Sequence, residues 1–144
     1  MDLYEMFSNM PMFKNFETDE IKKFIQMKIS HKRFNKGYVI IKEGDTDSTL
    51  FLIVAGSVSI AKAGQNLPLD TLTPGDVFGE MSFLTKKPRH TSAIADGDVL
   101  VLRMDDDFFQ KIGLVLQNKL KDHFIELLIS RLDRMNELIS DSEK

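Results

Sequence analysis

Residues 77–93 read VFGEMSFLTKKPRHTSA and bring an acid, a guanidinium and several hydroxyls into one short segment. Arg89 suits a phosphate, because its planar fork of N–H groups meets two oxygens at once. Pro88 restrains the loop just before it, so less entropy is lost when an anion docks. Glu80 is itself an anion and makes better sense as the acceptor for a hydroxyl, such as the 2′-OH of a ribose. If a short helix starts near Glu80, its first amide groups add an anion site, and Gly79 lets a ligand approach the backbone closely. Ser82, Thr91 and Ser92 supply further hydroxyls. Between residues 78 and 92 three cations (Lys86, Lys87, Arg89) stand against one acid, a local excess of +2 in a chain of net charge −3. These residues also admit a plainer reading, a Glu80–Arg89 ion pair across a turn with little energetic consequence.

The elements that must position this segment differ in texture along the chain. Over residues 1–29 the apolar spacing is helical: Ile21, Phe24, Ile25 and Ile29 recur at three- and four-residue steps, with Thr18 as the expected N-cap. Over 30–103 short β-prone runs alternate with glycine-centred turns, the pattern of a mainly β sandwich or jelly-roll-like barrel. Leu50–Val54 is apolar on both faces and is expected to be a central strand, whereas Ser57–Ile60 alternates like a half-buried one. Residues 105–140 are helical again. Asp105, Asp106 and Asp107 can cap a helix start, Phe108, Phe109 and Ile112 are its expected apolar contacts, and Gly113 marks a break before a longer helix. There Ile125, Leu128, Leu132, Met135 and Ile139 step by 3, 4, 3 and 4, which fits either a dimer seam or a stripe docked on the chain's own barrel. Phe124, Leu127 and Leu138 form a second apolar set expected to face the barrel. Met6, Met10, Met12 and Met27 read as core filling.

Composition removes several function classes. The chain has 144 residues, the length of a single domain over 1–144, with 42% apolar and 28% charged residues, and no cysteine. Thiolate metal sites, iron–sulfur clusters, disulfides and cysteine catalysis therefore fall away. The three histidines, His31, His90 and His123, are scattered, so a metal-dependent enzyme on a β-roll is poorly supported and no metal ligands are assigned. The N-terminus lacks the basic flank of a signal peptide, and no apolar run is long enough to cross a bilayer. A cytoplasmic protein with no membrane partner is the expectation.

The segment 77–93 resembles the phosphate-binding cassette of cyclic nucleotide-binding domains, the modules of the catabolite activator protein and of protein kinase A regulatory subunits. The likeness is carried by Phe78-Gly79-Glu80, Ser82, Pro88-Arg89 and Ser92, and upstream by Phe34-Asn35-Lys36-Gly37, Gly44-Asp45, Leu50–Ile53 and Gly56-Ser57-Val58. The resemblance implies a double-stranded β-helix, or β-roll, with an N-terminal helix and a long C-terminal helix. It implies a ligand, cAMP or cGMP, and no catalytic activity or cofactor. Phe78, Gly79, Glu80, Met81, Ser82, Pro88, Arg89, His90, Thr91 and Ser92 would form the binding segment, with Glu80 on the ribose hydroxyl and Arg89 on the cyclic phosphate. His90 stands where members that prefer cGMP often have Thr and cAMP binders often have Ala or Ser, so it matches neither group. The final helix would be a lid over the base and, through Ile125, Leu128, Leu132, Met135 and Ile139, a homodimer seam signalling to a downstream protein. Residues 120–144 hold four Lys or Arg against six Asp or Glu, and no helix-turn-helix is expected to follow, so DNA is not an expected partner. A dimeric interaction scaffold that binds no nucleotide is the alternative.

Overall fold

A computed structural model describes residues 2–142, with side chains as far as residue 140. Two short helices, α1 (Leu3–Ser8) and α2 (Thr18–Gln26), flank a 3₁₀ turn at Pro11–Phe13. Eight strands follow: β1 (Ser30–Phe34), β2 (Val39–Ile41), β3 (Leu50–Ala55), β4 (Val58–Ala61), β5 (Asp70–Leu72), β6 (Val77–Phe78), β7 (Ser92–Ala95) and β8 (Val99–Met104). The helix α3 (Glu80–Thr85) interrupts them between β6 and β7, and α4 (Asp106–Lys111) and α5 (Leu114–Ser142) complete the chain. The strands form two antiparallel four-stranded sheets, ordered β1-β8-β3-β6 and β2-β7-β4-β5. This is the β-roll with flanking helices that the sequence led us to expect.

The apolar character of β3 on both faces has a direct cause. Leu50 and Leu52 point into a cluster shared with the helices, while Phe51 and Ile53 point into the space between the two sheets. A strand sandwiched between two cores has no polar face to show. The helical core contains Phe7, Phe13, Phe16 and Phe24 in edge-to-face contact, and Leu116, Leu120 and Phe124 of α5 close it. The methionines divide: Met10 and Met12 are buried there, and Met6 and Met27 lie at its margin.

Local signals fare unevenly at the helix ends. Asp105 caps α4 by accepting a 2.8 Å bond from the Phe108 amide; Phe109 and Ile112 beyond it are buried. Gly113 takes a φ of +88° and separates α4 from α5, as its position suggests. Thr18 is not the N-cap of α2. That place falls to Glu17, whose amide donates to Glu20 Oε1 at 2.7 Å in a reciprocal capping box. Thr18 becomes the first helical residue. The helix also ends at Gln26, so Ile29 lies past it yet still packs on the helical core. Between Leu114 and Ser142 there is neither Gly nor Pro, and α5 runs unbroken for 29 residues. No helix among the described residues is long and apolar enough to cross a membrane.

Candidate functional site

Gly79 ends β6 and caps α3 with a left-handed φ of +85°. A Cβ at this position would lie 2.8 Å from the Thr49 carbonyl oxygen and 3.0 Å from Arg89 Nη1, so only glycine fits the turn that starts α3. The turn aims two buried side chains, Glu80 and Ser82, each 3% exposed, into one cavity. The first amides of α3 have no carbonyl one turn earlier in the helix to receive them.

Arg89 reaches the same place from the loop before β7 and is 5% exposed. Its Nη1 donates to the Gly79 carbonyl at 2.9 Å, and its Nη2 donates to the Thr49 carbonyl at 2.6 Å and to Asp47 Oδ2 at 3.2 Å. The loop itself is pinned by backbone bonds from Arg89 to Asp45 and from Gly44 to Arg89. Arg89 Nε is buried with no partner in the structure. Burial would raise the Asp47 carboxyl, but bonds from the Thr49 hydroxyl and amide, and from Arg89, outweigh it and hold the group below its usual range. Asp47 is thus the counter-ion that offsets the cost of burying the Arg89 guanidinium.

Glu80 is not paired with Arg89. Its Oε1 accepts a bond from Nη1 of Arg131, on α5, whose Nη2 also donates to the Val77 carbonyl at 3.2 Å. Burial pushes the Arg131 guanidinium below its ordinary value, while the charges of Asp70 and Asp76 oppose that shift. One turn along α5, Arg134 pairs with Asp70 of β5 at 2.8 Å. The plain Glu80–Arg89 ion pair considered for the sequence is therefore absent, and each residue has a different partner.

These groups line a cavity of about 580 Å³, a size that encloses a small organic ligand. Phe78, Gly79, Glu80, Met81, Ser82, Arg89, His90 and Thr91 all border it. Pro88 and Ser92 do not: Pro88 is exposed, and the Ser92 hydroxyl is taken up as acceptor for the Glu43 amide at 2.9 Å. Its opposite wall is α5. Leu128, Leu132, Met135 and Ile139, the seam expected to face a second copy, border the cavity, and of that set only Ile125 does not. Leu138 lies on the cavity side but stays 63% exposed, so it is not a buried contact with the barrel. Four charged residues escaped the sequence reading: Asp47, Asp70, Arg131 and Arg134. Arg131 alone left a visible trace, a cation set three residues after Leu128 and four before Met135 inside an apolar stripe. Among the described residues no three His, Asp or Glu gather to hold a metal.

Known proteins resemble this chain in sequence and in fold. The pattern described as "Cyclic nucleotide-binding domain" matches residues 31–113. The cAMP-dependent protein kinase regulatory subunit of Neurospora crassa is 32% identical over 111 residues, which are 76% of this chain and 29% of that protein. A structure of PKAR CBD2 with bound Sp-2Cl-cAMPS superposes with a TM-score of 0.79 at 27% identity, covering 94% of this chain and 88% of the other. The catabolite activator protein of Thermus thermophilus gives 0.74 at 27% identity over 91% of this chain and 62% of its own. The family pattern covers more than half of the chain and the whole fold superposes on structures of the same kind: the chain belongs to the cyclic nucleotide-binding domain family.

Proposed function

We propose that the chain is a non-catalytic sensor whose cavity takes a 3′,5′-cyclic nucleotide, and that α5 carries the signal. The observation that carries this is Arg89: a buried guanidinium with an unpartnered Nε, in the same cavity as a buried Glu80. Arg89 already shares its charge with Asp47, so the single negative charge of a cyclic phosphodiester matches it better than a dianionic monoester. Glu80 accepts the ribose 2′-OH, and the Ser82 hydroxyl and the first amides of α3 complete the sugar-phosphate seat. Leu132 and Met135 cover the base.

Arg131 connects ligand to output, because it holds the carboxylate that the ribose meets. Filling the cavity favours one docked position of α5, which changes the surface offered to a partner. A homodimer through α5 belongs to this reading, with Ile125 and the neighbouring Ile129, each about half exposed, on the side away from the cavity. A downstream protein partner and a cytoplasmic setting complete it.

The test is thermal unfolding with cAMP, cGMP and a linear 5′-mononucleotide, on the wild type and Arg89→Ala. Ligand at about 100 times its Kd stabilises the fold by ~2.7 kcal/mol, a rise in Tm on the order of 5 °C for a domain of this size. The rise is expected with a cyclic nucleotide only, and is expected to vanish in Arg89→Ala. A cooperatively unfolding wild type that no cyclic nucleotide shifts would refute the reading and leave a protein-interaction scaffold.

A further inference from the structure

Charge is distributed unevenly along the chain. Residues 21–42 contain seven Lys or Arg and no Asp or Glu, whereas the rest of the chain holds twelve against twenty-two. The seven are exposed, and among the described residues none of them is in an ion pair, although seven cations elsewhere are. The sheet orders put this segment at one margin of the roll. β1 is the edge of one sheet and β2 the edge of the other, and residues 35–38 carry the chain between them. Lys28 precedes β1, Lys32 and Arg33 lie on it, Lys36 is in the turn and Lys42 follows β2. Arg103 joins them from β8, opposite Ser30. Asp96 and Asp98 come near the turn, since Ala95 bonds to Gly37 and Tyr38 and Val99 faces Phe34. Asp96 is occupied there by the hydroxyls of Ser57 and Ser59. Tyr38 and Val39, 53% and 46% exposed, stand among the cations, and the Tyr38 ring stacks on Phe34 at 5.0 Å.

We propose that this β1–β2 margin is a docking surface for an anionic lipid bilayer. Lysines on an edge strand also serve to keep edges from pairing. That role needs charges on the strands alone; it does not account for the cations before, between and after them, or for the exposed Tyr38 and Val39 in their midst. None of these cations borders the cavity, and they come from successive elements along an outer margin. Long, flexible, scattered cations suit a flat and fluid partner of diffuse negative charge. A nucleic-acid strand would need several aromatic faces to stack on, and Tyr38 is one ring with a side already against Phe34. The amphipathic ring of a tyrosine suits the headgroup layer, with Val39 beside it. Charges are screened beyond about 8 Å at physiological salt, so the acids on distant parts of the chain do little to repel the surface. The sequence offers no spanning segment, and a surface contact needs none. The opposite margin is made by β5 and β6, the strands to which Arg134 and Arg131 tie α5. Docking through β1 and β2 therefore leaves the cavity and α5 free, and the inference stands apart from the nucleotide reading.

Flotation with vesicles of phosphatidylcholine, alone or mixed with phosphatidylserine, tests this. The wild type is expected to float with the mixed vesicles only, and less so as salt is raised. Each cation near an anionic leaflet contributes roughly fivefold to partitioning, so Lys32→Gln with Arg33→Gln and Lys36→Gln is expected to weaken it about a hundredfold. A control that removes three exposed cations elsewhere, Lys87→Gln with Lys111→Gln and Lys121→Gln, is expected to bind as the wild type does. Tyr38→Ser is expected to show a smaller loss than the triple variant of the margin. Because the three margin cations are exposed and outside any ion pair, that variant should unfold at the wild-type temperature, which separates lost docking from lost folding. No flotation with the mixed vesicles, equal flotation with the neutral ones, or an equal loss in the control overturns the proposal. Displacement from the vesicles by polyuridylate or polyglutamate at lower charge concentration than the lipid would overturn the lipid assignment and give the margin to a nucleic acid or an acidic protein.

Discussion

At the scale of single residues, the site depends on Gly79 and Arg89 more than on any other pair. The αL turn at Gly79 presents its carbonyl to Arg89 and starts α3 in the same step. Gly79→Ala puts a methyl against the Thr49 carbonyl in a conformation that L residues disfavour. We expect a loss of about 2–3 kcal/mol in denaturant unfolding, with nucleotide-induced stabilisation lost as well. Glu80, Ser82 and Arg89 were legible in the sequence because they lie within one contiguous cassette. Asp47 was not, since it precedes Arg89 by 42 positions and reaches it only through the fold. His123 shows the same limit. It is buried against the N-terminal helical region with an unpartnered Nδ1. Burial lowers its pKa, the Lys14 ammonium lowers it further, and Glu126 works in the opposite sense. The unfolded chain therefore binds the proton more readily, and this contribution to stability is complete above a pH of about 6.5 and is lost as pH falls towards the folded value. Comparing Tm at pH 7.5 and about 5.5 checks it: the wild type is expected to lose more stability than His123→Gln. The depressed carboxyls of Asp47, Glu20 and Glu126 act lower, below their ordinary carboxylate range.

At the scale of elements, β3 was the clearest prediction and α5 the least complete. A strand apolar on both faces has one physical meaning, burial between two layers, and the structure has it so. A 3-4 stripe on a helix has two, and sequence does not choose between a second copy and the chain's own cavity. Here most of the stripe borders the cavity, and the decisive residue is the cation interrupting it. The cap of α2 departs from the sequence expectation for a local reason: Thr is the stronger cap by type, yet Glu17 and Glu20 stand three apart and close a reciprocal box that sets the helix start one residue earlier. Arg131→Ala tests how α5 is tied down. It leaves Glu80 buried without its cation, and since Arg131 is partly exposed we expect a modest loss of about 1–2 kcal/mol. The sharper readout is amide exchange over residues 128–140, which is expected to speed up when no nucleotide is added and to lose its dependence on nucleotide.

At the scale of the whole molecule, two cores share one sheet. The inter-sheet core builds the cavity floor, and the helical core holds the first half of α5 through Leu116, Leu120 and Phe124. Beyond Leu128 the helix touches the body chiefly through Arg131, Arg134 and the cavity-facing aliphatics. Saturating nucleotide is expected to slow hydrogen exchange in residues 128–140 and to leave residues 116–124 unchanged. Equal protection of both halves would mean that the ligand acts on global stability alone. The difference between the two halves makes α5 a lever with its fulcrum at Phe124. From there to Ser142 the helix extends about 27 Å, and a tilt of about ten degrees carries its tip roughly 5 Å. On the proposed reading, a shift of about 1 Å at Arg131, roughly 10 Å past the fulcrum, becomes about 2.6 Å at the far end of the helix. The gain is fixed by how many residues follow the fulcrum, independently of how tightly the ligand binds.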